Sequence, residues 1–133
     1  MTGVRFPPIE AIIDLHHELL IEHGGAPGLR DRGALEASLA RGRQMLAYAG
    51  GEELSVARLA AAVCVSVCRN HPFVDGNKRA AFAALGMTLG LNGFYLDATE
   101  RDATATILAL AAGTLAEDAF AAWVAAHSLP DEA

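Results

Sequence analysis

Residues 71–79 read His-Pro-Phe-Val-Asp-Gly-Asn-Lys-Arg, a run that brings a base, a carboxylate, a glycine and two cations within reach of one another. Phosphoryl or nucleotidyl transfer asks for these parts: in-line positioning, neutralisation of phosphate charge and a base for the attacking hydroxyl. His71 supplies the base, since imidazole takes up a proton near neutral pH, and Pro72 behind it stops a helix and restricts the residue before it. Asp75 is the one carboxylate of the run, a hard oxygen ligand suited to Mg²⁺, which keeps waters and bridges to substrate phosphates. Gly76 lets the backbone approach an anion. Asn77, Lys78 and Arg79 open a helix there with donors of three kinds, and the free N–H groups and dipole of a helix start favour negative charge. Phe73 reads as the buried anchor of the loop. Arg69, just ahead, either reaches phosphate or sits at its own helix C-terminus as a partner of the dipole.

Structural alternatives exist for each residue. A lone histidine is more often a cap or a core residue, Asp-Gly-Asn is a common turn, and a basic pair at a helix start can be a solvated edge. Two cations at a helix N-terminus nevertheless oppose the dipole unless an anion is bound, so the ensemble reads better as a site than as packing. The lysine stands out further, because the chain writes its other nine cations as arginine. A compact ammonium and a planar guanidinium differ in geometry and hydration.

The motif needs two helices to hold it. Apolar spacing predicts one helix over 54–70, started by Ser55 or the acidic pair before it, and another resuming from the motif to 91, where Asn92-Gly93 stops it. Around this pair, further helices are expected over 8–23 (Pro8 opening, Gly24-Gly25 closing), 32–46 (Asp31 as N-cap), 99–113 (Thr99 with Asp102 as a capping pair) and 115–127. Phe94-Tyr95-Leu96 is extended. Residues 41–53 are either a helix end with a loop or a small two-stranded flap through Met45 to Tyr48. The fold class is all-α: a compact bundle of about six helices, with the helix after the motif expected at the centre because it is apolar on every face.

The 133 residues suit one domain, 1–133, with flexible ends at 1–5 and 129–133. There is no cationic segment with an apolar run behind it and no apolar stretch near the ~20 residues a bilayer needs, so a cytoplasmic protein without a membrane partner is expected. Cys64 and Cys68 lie one turn apart, which suits two buried thiols and neither a disulfide nor zinc. A net charge of −6 argues against direct nucleic-acid binding. Arg30, Arg32, Arg41, Arg43, Arg58, Arg69, Lys78 and Arg79 all fall in the middle of the chain, however, where they could focus a local positive field on a compact polyanion. His16 and His17 point apart on their helix and make a poor chelating pair, with His16 the more structural. Glu36 and Arg30 either line the cleft or cap and solvate helices.

The run 71–79 resembles the signature of the Fic/Doc family, His-x-Phe-x-Asp/Glu-Gly/Ala-Asn-Gly/Lys-Arg between two helices. The likeness extends through Leu15-His16, Gly24-Gly25-x-Pro27-Gly28-Leu29 and Gly33-x-Leu35-Glu36-x-Ser38-Leu39 to the Doc (death-on-curing) branch, and covers roughly 9–96. The resemblance implies the all-helical Fic fold, with ATP as substrate and Mg²⁺ as cofactor. His71 would then be the base, Asp75 the metal-binding and positioning carboxylate, and Gly76, Asn77, Lys78 and Arg79 the nucleotide binders. Fic enzymes typically transfer AMP to a protein hydroxyl, whereas Doc resembles them in fold and phosphorylates a threonine of elongation factor Tu, stopping translation. Lys78 follows the Doc pattern, since it fills the space that glycine leaves for a phosphate in AMP-transferring members; Pro72 and Gly76 follow theirs. The resemblance therefore implies a toxin with kinase activity, with AMP transfer as the alternative and a non-catalytic binding module as a third reading. No inhibitory Ser/Thr-x-x-x-Glu-Gly/Asn segment is evident, so inhibition is expected in trans from a small Phd-like antitoxin, which would also make any DNA contact.

Overall fold

The computed structural model describes residues 3–51 and 53–132. Among them, six helices and two short strands follow in the order α1 (Ile9–His23), α2 (Arg32–Ala47), α3 (Val56–Asn70), α4 (Asn77–Leu91), β1 (Phe94–Leu96), α5 (Glu100–Ala111), α6 (Glu117–His127) and β2 (Ser128–Pro130). The expected caps form. Asp31 accepts from the Ala34 N–H at 2.9 Å, Ser55 from the Arg58 N–H at 3.1 Å and Thr99 from the Asp102 N–H at 3.1 Å, each such bond stabilising its helix by about 1 kcal/mol. Asp102 does not reciprocate as a capping box would. Its carboxylate instead accepts from Trp123 Nε1 at 3.1 Å and lies 3.5 Å from His127 Nε2, joining α5 to α6.

Helix α3 is the most enclosed element. From Val56 to Cys68 every residue except Arg58 is buried, and the helix packs against α2, α4 and α6. Its side chains there are mostly Ala, Val and Cys, short enough for two neighbours to close in, and a fully buried Val or Leu contributes about 1.5–3 kcal/mol relative to an exposed one. Helix α4, expected at the centre, does touch α1, α3, α5 and β1. It nonetheless leaves Gly86, Gly90 and Leu91 in solvent, and a Cβ at either glycine would meet no neighbour. The motif is thus suspended between a fully buried helix and one with an open face. Cys64 and Cys68 are buried free thiols, as their spacing suggests.

The segment that sequence left open resolves as a helix end. Helix α2 runs to Ala47, Tyr48 caps it, and turn residues follow, with no flap strand among the described residues; Glu52 lies outside them. Described residues near both ends make long-range contacts. The backbone of Arg5 exchanges two hydrogen bonds with the Asn92 amide, each 2.8 Å, and Phe6 lies where a Cβ on Gly42 would be. At the other end, β2 pairs antiparallel with β1, so Leu129 and Pro130 face Tyr95 and Phe94 and are not a loose tail. Long-range backbone pairing of this kind leaves no short sequence signature. Met1, Thr2 and Ala133, also assigned to flexible ends, lie outside the described residues. No helix among the described residues is long and apolar enough to cross a membrane.

Candidate active site

The motif loop between α3 and α4 is laid against an earlier segment, 24–31. Val74 N–H donates to the Gly28 carbonyl at 3.0 Å, the Arg30 and Asp31 N–H groups both donate to the Pro72 carbonyl at 2.8 and 2.9 Å, and Leu29 forms an antiparallel bridge with Phe73. Pro72 has no N–H, so its carbonyl carries the contact at that point.

His71 ends α3 in the left-handed region, φ 47° and ψ 57°, and is the one described non-glycine residue with positive φ. That conformation costs roughly 1–2 kcal/mol for a residue with a Cβ and persists where its surroundings enforce it. Arg30 enforces it. Its Nε donates to the His71 carbonyl at 2.9 Å, and its Nη2 donates to the same carbonyl and to the Asn70 carbonyl, the latter at 3.2 Å. A guanidinium on the last carbonyls of a helix also complements the dipole. Asn70 is held a second time by donating from Nδ2 to Ser38 Oγ at 2.9 Å, while the buried Ser38 hydroxyl donates to the Ala34 carbonyl at 2.7 Å. The His71 imidazole itself projects into solvent with no bonded partner among the described residues.

The inner side of the loop is pinned by Phe73, Asn77 and His16. Phe73 is buried and stacks on the His16 ring at 3.7 Å with 12° between planes. His16 Nε2 lies 2.7 Å from the Asp75 carbonyl; a carbonyl only accepts, so His16 carries its proton on Nε2. The Asn77 amide is used on both sides, Oδ1 accepting from the Phe73 N–H at 2.9 Å and Nδ2 donating to the Phe73 carbonyl at 3.0 Å. The Asn77 side chain is therefore a brace for the loop, and its backbone N–H is what it presents to an anion. Gly76, with φ 75°, starts α4; a Cβ there would stand 3.3 Å from His16 Nε2.

The outer side carries the charges. Asp75 Oδ1 accepts from the Gly76 N–H at 2.8 Å and Oδ2 from the Ala26 N–H at 3.2 Å. These bonds, with smaller help from Arg79 and Lys78, hold its carboxyl below the usual carboxylate range. Two oxygens have about four lone-pair positions, so the anchored carboxylate keeps capacity for a metal ion. No group of three His, Cys, Asp or Glu side chains able to hold a metal occurs among the described residues. A cation here would have to share Asp75 with ligands from a nucleotide and water, the usual habit of Mg²⁺. No side chain caps α4, and its first-turn N–H groups face an open cleft of about 530 Å³. The cleft is lined by the motif residues His71, Val74, Asp75, Gly76, Asn77, Lys78 and Arg79, together with Cys68 and Ala111. Burial pushes the Cys68 thiol up, and Lys78 and Arg69 partly offset that.

Most other cations of the middle segment are spent elsewhere. Arg32 meets Glu10 at 2.8 Å and Glu36 at 3.6 Å, Arg41 meets Glu117 at 3.0 Å, Arg58 meets Asp118 at 3.0 Å, and Arg43 lies over the Phe6 ring. Arg69 is turned towards Glu117 at 4.0 Å and does not line the cleft, so the structure does not gather it with the motif. Glu36 likewise stays on the surface with Arg32. The expected positive field narrows to Lys78 and Arg79, neither with an ion pair among the described residues. His71, Asp75, Gly76, Asn77, Lys78 and Arg79 are brought together as the sequence suggested. Arg30 and His16 turn out to support them, and Ala26 and Ser38 were not foreseen. A signal for the Ala26 contact was available in Gly24-Gly25: a Cβ on Gly25 would fall 2.8 Å from Leu20 Cδ2 and 3.0 Å from Asp75 Oδ2.

The chain is similar to known proteins. The chain is 42% identical over 78 residues, 59% of each chain, to Toxin Doc of Mycolicibacterium smegmatis (strain ATCC 700084 / mc(2)155). It is 35% identical over 85 residues to Protein kinase doc of Escherichia phage P1, across 63% of this chain and 65% of that one. The match thus spans about three fifths of the length of these curated relatives. The model of the Fic/DOC family matches residues 6–89, which takes in α1 to α3, the clasping segment, the motif loop and most of α4. With that match over more than half its length and the signature residues assembled in one cleft, the chain belongs to the Fic/Doc family.

Proposed function

We propose that the protein is a Doc-type toxin that transfers the γ-phosphate of ATP to a Ser or Thr hydroxyl of a protein, with elongation factor Tu as the target by family resemblance. The observation that carries this reading is Lys78, an exposed ammonium in the first turn of α4 beside uncapped N–H groups, without an ion pair among the described residues. A cation opposes the dipole at that end of a helix, and a bound polyphosphate reverses the balance. The names of the two relatives point the same way.

In this reaction the acceptor oxygen attacks the γ-phosphorus in line as the bond to the β–γ bridging oxygen breaks. ADP leaves, and the hydroxyl proton passes to the His71 imidazole. The αL backbone of His71 aims its ring into the cleft, while the Asn77 and His16 contacts keep the loop rigid beneath it. Lys78, Arg79 and the first-turn N–H groups of α4 bind phosphate oxygens. Asp75 would hold Mg²⁺, which neutralises phosphate charge when bound. A Phd-like antitoxin would silence the protein in trans in the cytoplasm. No direct nucleic-acid or membrane contact is invoked.

AMP transfer is the second reading, favoured by Pro72 and by Gly76, whose missing side chain keeps the helix entrance open. Attack would then fall on the α-phosphorus with pyrophosphate leaving. Incubation of the purified chain and Mg²⁺ with purified elongation factor Tu, and separately with nucleotide-depleted lysate, using ATP labelled at the γ- or α-phosphate, tests both. Label from γ only, lost in His71→Ala, is the expected result. Label from α would replace it with AMP transfer, and no label in either preparation would favour a non-catalytic binding module.

A further inference from the structure

We infer that Arg30 is a positioning residue for the general base, acting on His71 through its backbone carbonyl and not through substrate. The inference rests on the reading of His71 as base. Three observations carry it. His71 holds a left-handed conformation that helix C-termini usually give to glycine, that costs a residue with a Cβ and that the following proline disfavours. The guanidinium of Arg30 gathers the carbonyls of both Asn70 and His71. And the backbone N–H of the same Arg30 donates to the Pro72 carbonyl at 2.8 Å. One residue thus grips three successive carbonyls, at 70, 71 and 72, that set the direction of the His71 Cα–Cβ bond.

The chemistry of the contact requires arginine. Carbonyls accept in fixed directions, and a planar fork with several N–H donors reaches two of them while leaving no lone pair to compete. An ammonium would keep the charge at the helix C-terminus and lose the fork. Arg30 does not line the cleft. Its removal should therefore disturb where the base points, and leave nucleotide binding by Lys78, Arg79 and the α4 amides as it is. Because a misplacement of a catalytic group by about 1 Å is enough to lower a rate ~100-fold, the effect should be large for a residue that never meets substrate.

The test compares wild type, Arg30→Ala and Arg30→Lys in two ways. The first is label transfer from γ-labelled ATP, read as kcat and as KM for ATP, with and without added guanidinium chloride. The second is ¹³C-histidine NMR of the His71 ring, assigned with His71→Ala, together with the population of its side-chain rotamers. Arg30→Ala should lower kcat about 100-fold with KM for ATP changed by less than about twofold. Millimolar guanidinium should restore part of the rate, and the His71 resonance should shift or broaden with rotamer averaging. Arg30→Lys should fall between. Unchanged kcat, a loss confined to KM, or a His71 resonance identical to wild type in a folded variant would overturn the proposal. Should Arg30→Ala fail to fold, Arg30→Lys carries the same comparison, and a wild-type rate and resonance there would overturn it equally. A wild-type protein that transfers no label would sink the kinase reading, while the NMR comparison would still decide whether Arg30 sets the His71 ring.

Discussion

Two helix ends face each other across the motif loop, and they are finished in opposite ways. The C-terminus of α3 is held from within: Arg30 donates to the carbonyls of Asn70 and His71, Ser38 accepts from the Asn70 amide, and the Pro72 carbonyl receives two further N–H groups. The N-terminus of α4 has no side-chain cap, begins on a glycine and bears Lys78 and Arg79 where the dipole disfavours them. A helix end that supplies its own counter-charge is completed by folding. One that places like charge against its dipole gains from a bound anion. Structure and chemistry are divided between the two ends, and substitutions on either side should fail differently.

The largest effect is expected at the border of the two. His71→Ala should abolish transfer, by about 10³-fold or more given what a general base contributes with its positioning, and should leave the melting temperature nearly unchanged because the imidazole is exposed. Retained activity would remove the base from the end held by Arg30 and undo the comparison. Lys78→Ala should come next, lowering kcat/KM for ATP roughly 10- to 100-fold through lost charge-assisted contacts. The apo protein should nonetheless melt slightly higher, by a few tenths of a kcal/mol, since a cation has been taken from the positive end of a dipole. Calorimetry without nucleotide and kinetics with it read the two signs. A destabilised Lys78→Ala protein would mean that the end is completed internally after all.

Gly25→Ala sharpens the comparison from the clasp side. The added methyl meets Leu20 and Asp75 Oδ2 within 3.0 Å at a φ of +126°, so the Ala26 N–H bond to Asp75 should be lost and the carboxylate should swing. The expected readout is a several-fold higher Mg²⁺ requirement at unchanged ATP affinity without metal, measured by titrating Mg²⁺ into the transfer assay. An unchanged Mg²⁺ curve would detach the 24–28 segment from Asp75.

These contrasts also explain what could be read from the sequence. Asp31, Ser55 and Thr99 were legible as caps because each bonds a residue three positions away, and a local bond leaves a local pattern. The motif was legible because its chemistry is contiguous. The role of Arg30 was not, since its carbonyl partners lie 40 and 41 positions further on and an arginine before a helix looks the same whether it is solvated or clamped. The positive field was overestimated for the same reason: Glu10, Glu117 and Asp118 each come close to an arginine only after folding, whereas the Arg32–Glu36 pair is local. Composition also favours α4 over α3 as the centre, because apolarity on every face suggests burial on every face. Glycine counts as apolar in a pattern but adds no side chain to a core, and Gly86 and Gly90 leave α4 open.

The smallest effect is a pH dependence at Asp75, and it tests whether the loop depends on its own carboxylate. The carboxyl is held below its ordinary value first by the Gly76 and Ala26 N–H bonds and then by Arg79 and Lys78. A group whose folded pKa lies below its unfolded one stabilises the fold above the unfolded value and loses that contribution as pH falls through the folded one. Asp75→Asn removes the charge but keeps the shape, leaving one of the two N–H groups facing an amide instead of a carboxylate. Wild type should therefore melt higher than Asp75→Asn at about pH 6, and the gap should close only as pH falls below the ordinary carboxylate range. Nucleotide should widen the gap at the upper pH only when Mg²⁺ is present, because that is where the anchored carboxylate would share a cation with phosphate. A gap that stays constant across the titration would mean that the Asp75 bonds act by geometry alone, and the loop would then owe its shape to Asn77, His16 and Arg30 without help from its own charge.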